Sequence, residues 1–319
     1  LFFCLPVLFF FYKTWSSAAA HEKAPIAALL SIFGVVIIFW AVFHQNGSAL
    51  TYWARNNTDR ELGSEMGQVI NAIANTEEVS TLPRDRQPIG LHGENLGTKT
   101  GPSYYFDNYE KEFPVGNLEG KPADLTNEQW EKVDKSDLKN HGRLKLWPTE
   151  LQASINPFFV IILTPLIVAF FSFMRRRRKE PSTPGKIALG MLVSALSWLV
   201  MVTAAIVSGN GMEKASVAWL FGVYGVITVG ELCLSPMGLS LVSKLAPRRI
   251  AALMMGGWFL ATAIGNKLAG VLSGMWDLFE KKSNFFLTNA LLTAGAFLII
   301  RMLLPWLKRV YNEHMQHHG

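Results

Sequence analysis

One acidic residue, Glu231, lies in the middle of an apolar run that covers residues 217–242. Because about 20 helical residues at about 1.5 Å each cross the hydrocarbon core of a bilayer, this run is long enough to span a membrane. A carboxylate at that depth costs roughly 2.5–3.5 kcal/mol on insertion scales, so such residues nearly always face a bundle interior or a water-filled pathway. The run therefore predicts a membrane helix, with Glu231 as its first candidate functional residue.

The composition and the distribution of charge also indicate a membrane protein. Hydrophobic residues make up 50% of the chain and charged residues only 17%. Of the 24 acidic and 30 basic residues, 16 and 11 respectively lie in residues 57–148, so the remainder of the chain is strongly basic. Interleaved Lys and aromatic residues on a soluble surface, which are typical of nucleic-acid binding, are missing. The basic charge therefore belongs to the predicted membrane part and does not indicate a nucleic-acid partner.

Hydrophobic runs divide the chain into six full predicted spans. They cover roughly residues 25–54, 153–174, 187–208, 217–242, 250–272 and 285–307. All six are expected to be α-helices, because an open segment in lipid has no other way to satisfy its backbone. Residues 1–12 form a shorter apolar run, which we interpret as the truncated end of a preceding transmembrane helix. Residues 56–148 are expected to form a polar loop with short helices, and residues 308–319 a tail.

The positions of Lys and Arg predict the orientation of the spans. One set of span ends carries Lys13, Lys23, Arg175–Lys179, Lys186, Lys244, Arg248, Arg249, Lys308 and Arg309, and the opposite short loops carry few basic residues. Basic residues near span ends favour the cytoplasmic side. We therefore expect a multi-pass protein of the cytoplasmic (inner) membrane, with both ends of this chain inside and the acidic loop 56–148 outside.

Polar residues recur at helical spacing within the fourth span. Tyr224, Thr228, Glu231 and Ser235 follow one another at intervals of four, three and four residues, which places them on one face of a helix. Two interpretations of Glu231 stay open at this point. It forms a structural ion pair with a buried Lys or Arg, or it binds a substrate or a proton.

Other spans carry further candidates. His44 lies in the first span and titrates near neutral pH when unperturbed, so it is either a proton carrier or a neutral, hydrogen-bonded histidine. Asn156 opens the second span and either donates to a ligand carbonyl or caps the helix. Trp258 of the fifth span, which also carries Thr262, lines a pocket or fills the core. Lys267 of the same span reaches water or pairs with a carboxylate.

Five ordered blocks closely resemble the C-terminal half of the proton-dependent oligopeptide transporter family (POT/PTR), the peptide branch of the major facilitator superfamily. The blocks are Phe39-Trp-Ala-Val-Phe-His44-Gln, Ser154-Ile-Asn-Pro157, Pro181-Ser-Thr-Pro-Gly-Lys186, Gly230-Glu-Leu-Cys-Leu-Ser-Pro-Met-Gly-Leu239, and Met254-Met-Gly-Gly-Trp-Phe-Leu260 with Gly265-Asn266. The resemblance covers about residues 24–307 apart from the polar loop.

The resemblance implies an all-α membrane protein, the C-terminal six-helix bundle of a major facilitator superfamily transporter. Residues 24–55 then correspond to helix seven and residues 149–307 to helices eight to twelve, with the substrate bound between this bundle and an N-terminal six-helix bundle that is missing from the chain. The resemblance also implies that Glu231 receives the α-ammonium group of a peptide. The other residues that it places in the pocket are Asn156, Ser235, Trp258 and Thr262. Tyr224 is added as a substrate-binding candidate because it lies on the same helical face as Glu231.

His44 is a departure from the family pattern. It occupies the helix-seven position that is commonly Glu in the family and is linked there to proton coupling. A histidine at this position is positive when it carries the proton, whereas a glutamate is neutral. His44 is therefore our proton-coupling candidate. Its side chain would be positive in the protonated state, whereas the glutamate of the family is neutral in that state.

The resulting prediction is proton-coupled symport of di- and tripeptides by alternating access, in contact with membrane lipid and driven by the proton gradient without a cofactor or metal. One alternative is a transporter of the same family for another small solute, such as nitrate or an amino-acid derivative. Another is a non-transporting truncated membrane protein. An enzyme is not expected, because the chain shows no nucleophile motif and no metal-ligand spacing.

Overall fold

The computed structural model describes residues 4–60, 77–80, 143–211 and 214–318. In chain order the described elements are α1 Cys4–Ser16, α2 Ala20–Phe43, a 3₁₀ turn His44–Gly47, α3 Ala49–Asn57, β1 Thr58–Asp59, β2 Glu77–Ser80, β3 Arg143–Leu146, α4 Thr149–Gln152, α5 Ile155–Arg176, α6 Thr183–Val207, β4 Ala215–Ser216, α7 Ala218–Leu245, a 3₁₀ turn Arg248–Ile250, α8 Ala251–Gly274, a 3₁₀ turn Trp276–Leu278, and α9 Lys282–His318. The predicted all-α membrane fold is confirmed.

The contacts divide the chain into two compact units. The first, the helical unit, comprises Leu1–Thr51, Ala153–Ala204 and Ala218–Gly319. The second, the loop unit, comprises Tyr52–Gln152 and Ala205–Val217. All the predicted site residues lie in the helical unit.

Each of the six predicted spans contains a helix of the described residues. In the described part of the chain, five helical stretches are long and apolar enough to cross a membrane: Ala20–Asn57, Ile155–Arg176, Thr183–Val207, Ala218–Leu245 and Lys282–His314. The sixth predicted span is present as α8, which has 24 residues. Polar Asn266 and Lys267 lie within this helix.

The first predicted span, residues 25–54, is not one continuous helix. The 3₁₀ turn His44–Gly47 separates α2 from α3. Asn46 and Gly47 are both weak helix formers, and Gly costs about 1 kcal/mol relative to Ala inside a helix. The Gln45 side chain donates from Nε2 to the carbonyl oxygen of Ala269 on α8 over 2.9 Å. Long-range bonds at the turn thus compensate for the interrupted helix, a contribution that a local sequence pattern does not reveal.

Small residues set the closest helix contacts of the helical unit. A Cβ at Gly265 of α8 would overlap the Cβ of Trp40 and lie 3.0 Å from the carbonyl oxygen of Ile37 on α2. Ala261 and Gly265, two small residues four positions apart, therefore support close packing of α2 and α8, as such pairs do in membranes. Gly270 and Gly274, which are also four positions apart on α8, make no such contact with the described residues, since nothing lies within 4 Å of a Cβ built at either position.

Glu180 holds together the connection between α5 and α6. Its carboxylate lies 2.7 Å from Arg175 Nε and 2.6 Å from Lys186 Nζ. Lys186 is buried, and its ammonium group lies 4.4 Å from the ring centroid of Phe171. The two cations hold the pKa of Glu180 at about 2 through hydrogen bonds, first from Arg175 and then from Lys186.

The loop unit contains short β-pairs as well as helix. β1 pairs with β4 in parallel and β2 with β3 antiparallel. The Arg60 guanidinium donates to the carbonyl oxygen of Trp147 over 3.0 Å, and the Trp147 amide donates back to the Arg60 carbonyl over 2.8 Å. The sequence predicted only short helices for residues 56–148, and most of that prediction lies outside the described residues.

Candidate functional site

Glu231 lies in the interior of α7 and is only partly exposed. Its Oε2 accepts a hydrogen bond of 3.3 Å from Nδ2 of Asn156 on α5. No Lys or Arg of residues 4–60, 77–80, 143–211 or 214–318 forms an ion pair with Glu231 within 4.0 Å. The structural ion pair that the sequence left open is therefore not seen in the described chain, and the carboxylate retains capacity for a further partner.

The orientation of the Asn156 carboxamide follows from its neighbours. Its Nδ2 also donates to Thr228 Oγ1 over 3.1 Å. The single hydroxyl hydrogen of Thr228 is directed to the carbonyl oxygen of Tyr224 over 2.7 Å, so Oγ1 of Thr228 accepts from Asn156. An ionised carboxylate also only accepts. Both neighbours of the Asn156 nitrogen are thus acceptors, which assigns the amide nitrogen to them and turns Oδ1 away from them.

This arrangement changes the expected role of Asn156. The sequence predicted that Asn156 donates to a ligand carbonyl or caps α5. The Asn156 amide nitrogen instead donates hydrogen bonds to Thr228 and Glu231. The residue that precedes α5, Ser154, makes no side-chain cap. What remains at the pair is acceptor capacity on Asn156 Oδ1 and Glu231 Oε1. An acceptor-only pair of this kind suits a cationic donor such as an ammonium group.

Tyr224 lies on the predicted face of α7 but is not open to a ligand. Its side chain is 2% exposed, and its hydroxyl donates to the backbone oxygen of Asn46 over 2.8 Å. Asn46 belongs to the 3₁₀ turn that follows α2. The Tyr224 hydroxyl is therefore engaged with the turn.

The other predicted pocket residues do not hydrogen-bond to Glu231. Ser235 is partly buried on α7, one turn beyond Glu231. Trp258 of α8 is 2% exposed and packs against Gly238 of α7, where a Cβ would overlap the indole ring. Thr262 donates to the carbonyl oxygen of Trp258 over 3.2 Å. In this conformation Trp258 therefore fills the interface between α7 and α8, which was one of its two predicted roles.

His44 begins the 3₁₀ turn and is half-buried. Its Nδ1 lies 2.9 Å from the carbonyl oxygen of Trp40, and the imidazole packs 5.1 Å from the Trp40 ring and 5.5 Å from the Phe43 ring. Because a carbonyl oxygen only accepts, the bond assigns a hydrogen to Nδ1 and leaves Nε2 as the nitrogen that can take up a second proton. The geometry thus keeps one proton-binding position on His44.

Thr228 is a site residue that the sequence analysis did not predict. It was placed on the Glu231 face but not in the predicted site, and the structure puts it between Asn156 and Tyr224 with 0% exposure. Its spacing was the available signal, because residues 224, 228 and 231 follow one helical face. The remote partner, Asn156, is 72 residues away from it in sequence and could not be inferred from spacing.

An acid at mid-length of α7, in a chain with helices long enough to cross a membrane, is typical of a pathway for a substrate, an ion or a proton. Comparison with known proteins agrees. Residues 137–290 match the PTR2 model, described as the POT family. The predicted resemblance to the POT family is confirmed.

Individual relatives give the same result. The chain is 35% identical over 172 residues to an uncharacterized transporter, YclF, of Bacillus subtilis, covering 52% of this chain and 34% of that protein. It is 32% identical over 181 residues to dipeptide and tripeptide permease A of Escherichia coli, covering 53% of this chain and 35% of the permease. The fold matches the crystal structure of a POT family transporter in complex with a thioalcohol-conjugated peptide, with a TM-score of 0.61 and 21% identity over 95% of this chain and 46% of that one. The chain thus matches about a third of the length of these curated relatives.

Proposed function

We propose that this chain forms the C-terminal bundle of a proton-coupled symporter of di- and tripeptides, which works by alternating access in the cytoplasmic membrane. Its partner is an N-terminal six-helix bundle, and the peptide binds between the two. The matched relatives, which are about three times the length of the matching region, support this organisation. The complete transporter, meaning this chain together with that bundle, is the protein in which transport is measured.

The observation that carries the proposal is the Asn156–Glu231 pair. A peptide ammonium group removed from water needs a charge partner and further hydrogen-bond acceptors. Glu231 supplies the charge, and the committed orientation of Asn156 leaves its oxygen as a second acceptor. Two helices, α5 and α7, together offer an ammonium group these two kinds of acceptor.

The same observation disfavours the nitrate alternative. Nitrate is an anion that accepts hydrogen bonds, so a carboxylate beside an amide oxygen would repel it. An amino-acid derivative with a free amino group remains compatible with the pair. One matched structure of low identity is a POT family transporter in complex with 5-aminolevulinic acid, a molecule that combines an amino group with a carboxyl group.

Proton coupling and orientation belong to the same proposal. His44 is its proton carrier on this chain, because Nε2 can bind a second proton while Nδ1 keeps its bond to Trp40. The basic ends of the helices face the cytoplasm, both ends of this chain lie inside, and segment 56–148 lies outside.

A competition experiment tests the proposal. The complete transporter in proteoliposomes takes up labelled dialanine, and we expect unlabelled dialanine to compete at least about tenfold better than N-acetyl-dialanine, since hydrogen bonds to charged groups contribute about 1.5–3 kcal/mol. Nitrate is expected not to compete. Equal competition by the free and the blocked peptide would contradict recognition of the amino end, and competition by nitrate would support the alternative solute.

A further inference from the structure

Two sets of hydrogen bonds, which are joined through residue Tyr224 itself, link the Asn156–Glu231 pair to the 3₁₀ turn after α2. Asn156 donates to Thr228 over 3.1 Å, and Thr228 donates to the backbone oxygen of Tyr224 over 2.7 Å. The Tyr224 hydroxyl then donates to the backbone oxygen of Asn46, in the turn, over 2.8 Å. We call Tyr224 and Thr228 the relay.

Each bond of the relay has a fixed direction. The backbone oxygen of Asn46 can only accept, so the Tyr224 hydroxyl must donate to it. The Thr228 hydroxyl has one hydrogen, which the backbone oxygen of Tyr224 receives, so it accepts from Asn156. Reversal of one bond would leave a buried donor or acceptor unpaired, at a cost of about 1–3 kcal/mol. Each bond of the relay therefore has one favourable direction, and both sets of bonds involve the α7 residue Tyr224.

The 3₁₀ turn His44–Gly47 is a segment whose conformation such a relay can change. A 3₁₀ stretch within a long helix has poorer hydrogen-bond geometry than the α-helix around it and often marks a functional hinge. Two long-range bonds hold this turn to neighbouring helices: Gln45 to Ala269 on α8, over 2.9 Å, and Tyr224 of α7 to Asn46, over 2.8 Å. If the bond from Tyr224 were removed, the bond from Gln45 to Ala269 on α8 would be the one of these two bonds that remains.

The relay residues themselves are too deeply buried to meet a substrate. Tyr224 is 2% exposed and Thr228 is 0% exposed. They can therefore act on transport only through the groups that they hold, which are the Asn156 carboxamide at one end and the turn that contains His44 at the other.

We propose that Tyr224 and Thr228 are positioning residues that couple the Glu231 site to the turn that carries His44. The proposal deepens the proposed function and rests on it for the meaning of both ends. A ligand that binds the Glu231 carboxylate changes the hydrogen bond from Asn156 to Glu231. The relay transmits that change to the turn. The relay thus connects the substrate site on α7 with the proton-binding candidate at the end of α2.

The first test measures the relay without any ligand. Hydrogen exchange of the amides of residues 44–50 is followed by mass spectrometry in the wild-type protein and in Tyr224→Phe, Thr228→Val and Asn156→Leu. We expect exchange at least about threefold faster in Tyr224→Phe, which is within the range of one net hydrogen bond, and a smaller rise in the two variants further along the relay. Unchanged exchange in Thr228→Val and Asn156→Leu would overturn the relay.

Matched controls come from the chain itself. Thr293 is also buried and also donates to a carbonyl one turn earlier, that of Asn289, over 2.9 Å, but it belongs to α9 and not to the relay. Tyr311, in the last part of α9, serves as the control for Tyr224→Phe. Thr293→Val and Tyr311→Phe are expected to leave exchange at residues 44–50 unchanged.

The second test separates positioning from a general loss of structure. The assay uses proteoliposomes that contain the complete transporter. Tyr224→Phe is expected to keep the apparent KM for peptide counterflow within about twofold of the wild-type value. Uptake driven by an imposed proton gradient is expected to fall at least about fivefold, because the variant loses one net hydrogen bond. Equal loss of counterflow and gradient-driven uptake would overturn the coupling. If the wild-type protein shows no peptide counterflow, the proposed function fails, whereas the amide exchange of residues 44–50 still decides whether the relay exists.

Discussion

Asn156 on α5 and Glu231 on α7 are 75 residues apart in sequence and are joined by one hydrogen bond of 3.3 Å between Nδ2 and Oε2. Asn156 is bonded by the same nitrogen to Thr228, so its oxygen is turned away from both acceptors. The pair therefore combines one negative charge with acceptor atoms and no free side-chain donor. This electrostatic character, rather than the acid alone, makes the site suitable for an ammonium group.

Replacement of Glu231 by Gln keeps the shape of the side chain and removes its charge. We expect dialanine uptake by the complete transporter to fall at least about tenfold, because a hydrogen bond to a charged group contributes about 1.5–3 kcal/mol. N-Acetyl-dialanine, which has no ammonium group, is expected to lose much less. Initial rates of uptake at several peptide concentrations measure both effects.

Glu313→Gln is the matched control, because Glu313 is an exposed carboxyl group near the end of α9. It removes the same charge away from the site and is expected to leave uptake of both peptides unchanged. An equal loss for free and blocked peptides in Glu231→Gln would contradict the role of Glu231 as the ammonium partner.

The sequence predicted the helices and the Glu231 face because both depend on local periodicity. Apolar runs of about 20 residues specify spans, and spacings of three and four residues specify a helical face. The predicted limits of α5 and α7 lie within three residues of the observed ones. Asn156 and Glu231 also meet, as the resemblance implied.

The interruption at His44–Gly47 could not be predicted in the same way, because its stabilising bonds come from distant residues. Gln45 bonds to Ala269 and Asn46 receives the Tyr224 hydroxyl, across 224 and 178 residues of sequence. The donor orientation of Asn156 is likewise set by Thr228, whose own hydrogen is already engaged. Tertiary hydrogen bonds, not local propensity, decide these features.

Gly238 provides a test of the packing between α7 and α8. A Cβ at this position would overlap the ring of Trp258, which is 2% exposed and cannot move outward freely. We expect Gly238→Ala to lower the free energy of unfolding, because overpacking typically costs about 1–3 kcal/mol. The midpoint of thermal unfolding of the purified protein measures the effect.

Gly256→Ala on α8 is the matched control, because nothing lies within 4 Å of a Cβ built there. It is expected to be neutral or stabilising, since Ala is a better helix former than Gly by about 1 kcal/mol. Combining Gly238→Ala with Trp258→Phe should recover part of the lost stability. A Gly238→Ala protein as stable as the wild type would show that the two helices separate more readily than the structure indicates.

Thiol labelling tests the orientation of the chain. Single cysteines are introduced at Gly93, in segment 56–148, or at Ser182, between α5 and α6, after both native cysteines have been replaced by Ser. We expect an impermeant thiol reagent added to intact cells to label residue 93 and not residue 182, because the Arg175–Lys179 cluster favours the cytoplasmic side. Permeabilised cells should give labelling at both positions. The opposite pattern in intact cells would reverse the proposed orientation.

Glu180 gives a pH-dependent prediction outside the membrane-spanning helices. Hydrogen bonds from Arg175 and then Lys186 lower the pKa of Glu180 from 4.5 to about 2. A carboxyl group with a depressed folded-state pKa stabilises the fold above its unfolded pKa, and this contribution is lost as the pH falls through the folded pKa. We therefore expect the wild type to exceed Glu180→Gln in thermal midpoint above about pH 4.5, with a difference that shrinks as the pH is lowered toward about 2.

Glu280→Gln, which alters an exposed carboxyl group between α8 and α9, is the control for that experiment and is expected to show a smaller difference at every pH. A constant gap between wild type and Glu180→Gln from pH 7 down to pH 3 would show that the ion pairs do not carry the effect.

His44 is the subject of the last prediction. Its Nδ1 is bonded to the Trp40 carbonyl, so uptake of a proton occurs at Nε2 and makes the side chain positive. Gln in its place retains a hydrogen-bond donor but cannot titrate. We expect His44→Gln to abolish uptake driven by an imposed proton gradient, while counterflow of peptide persists, because counterflow requires binding and conformational exchange but no net proton movement. His44→Glu is expected to restore part of the gradient-driven uptake, since a carboxyl group can also bind and release a proton, although it is neutral rather than positive when protonated. If His44→Gln leaves gradient-driven uptake unchanged, the proton route does not pass through this residue, and His44 serves to hold the turn between α2 and α3.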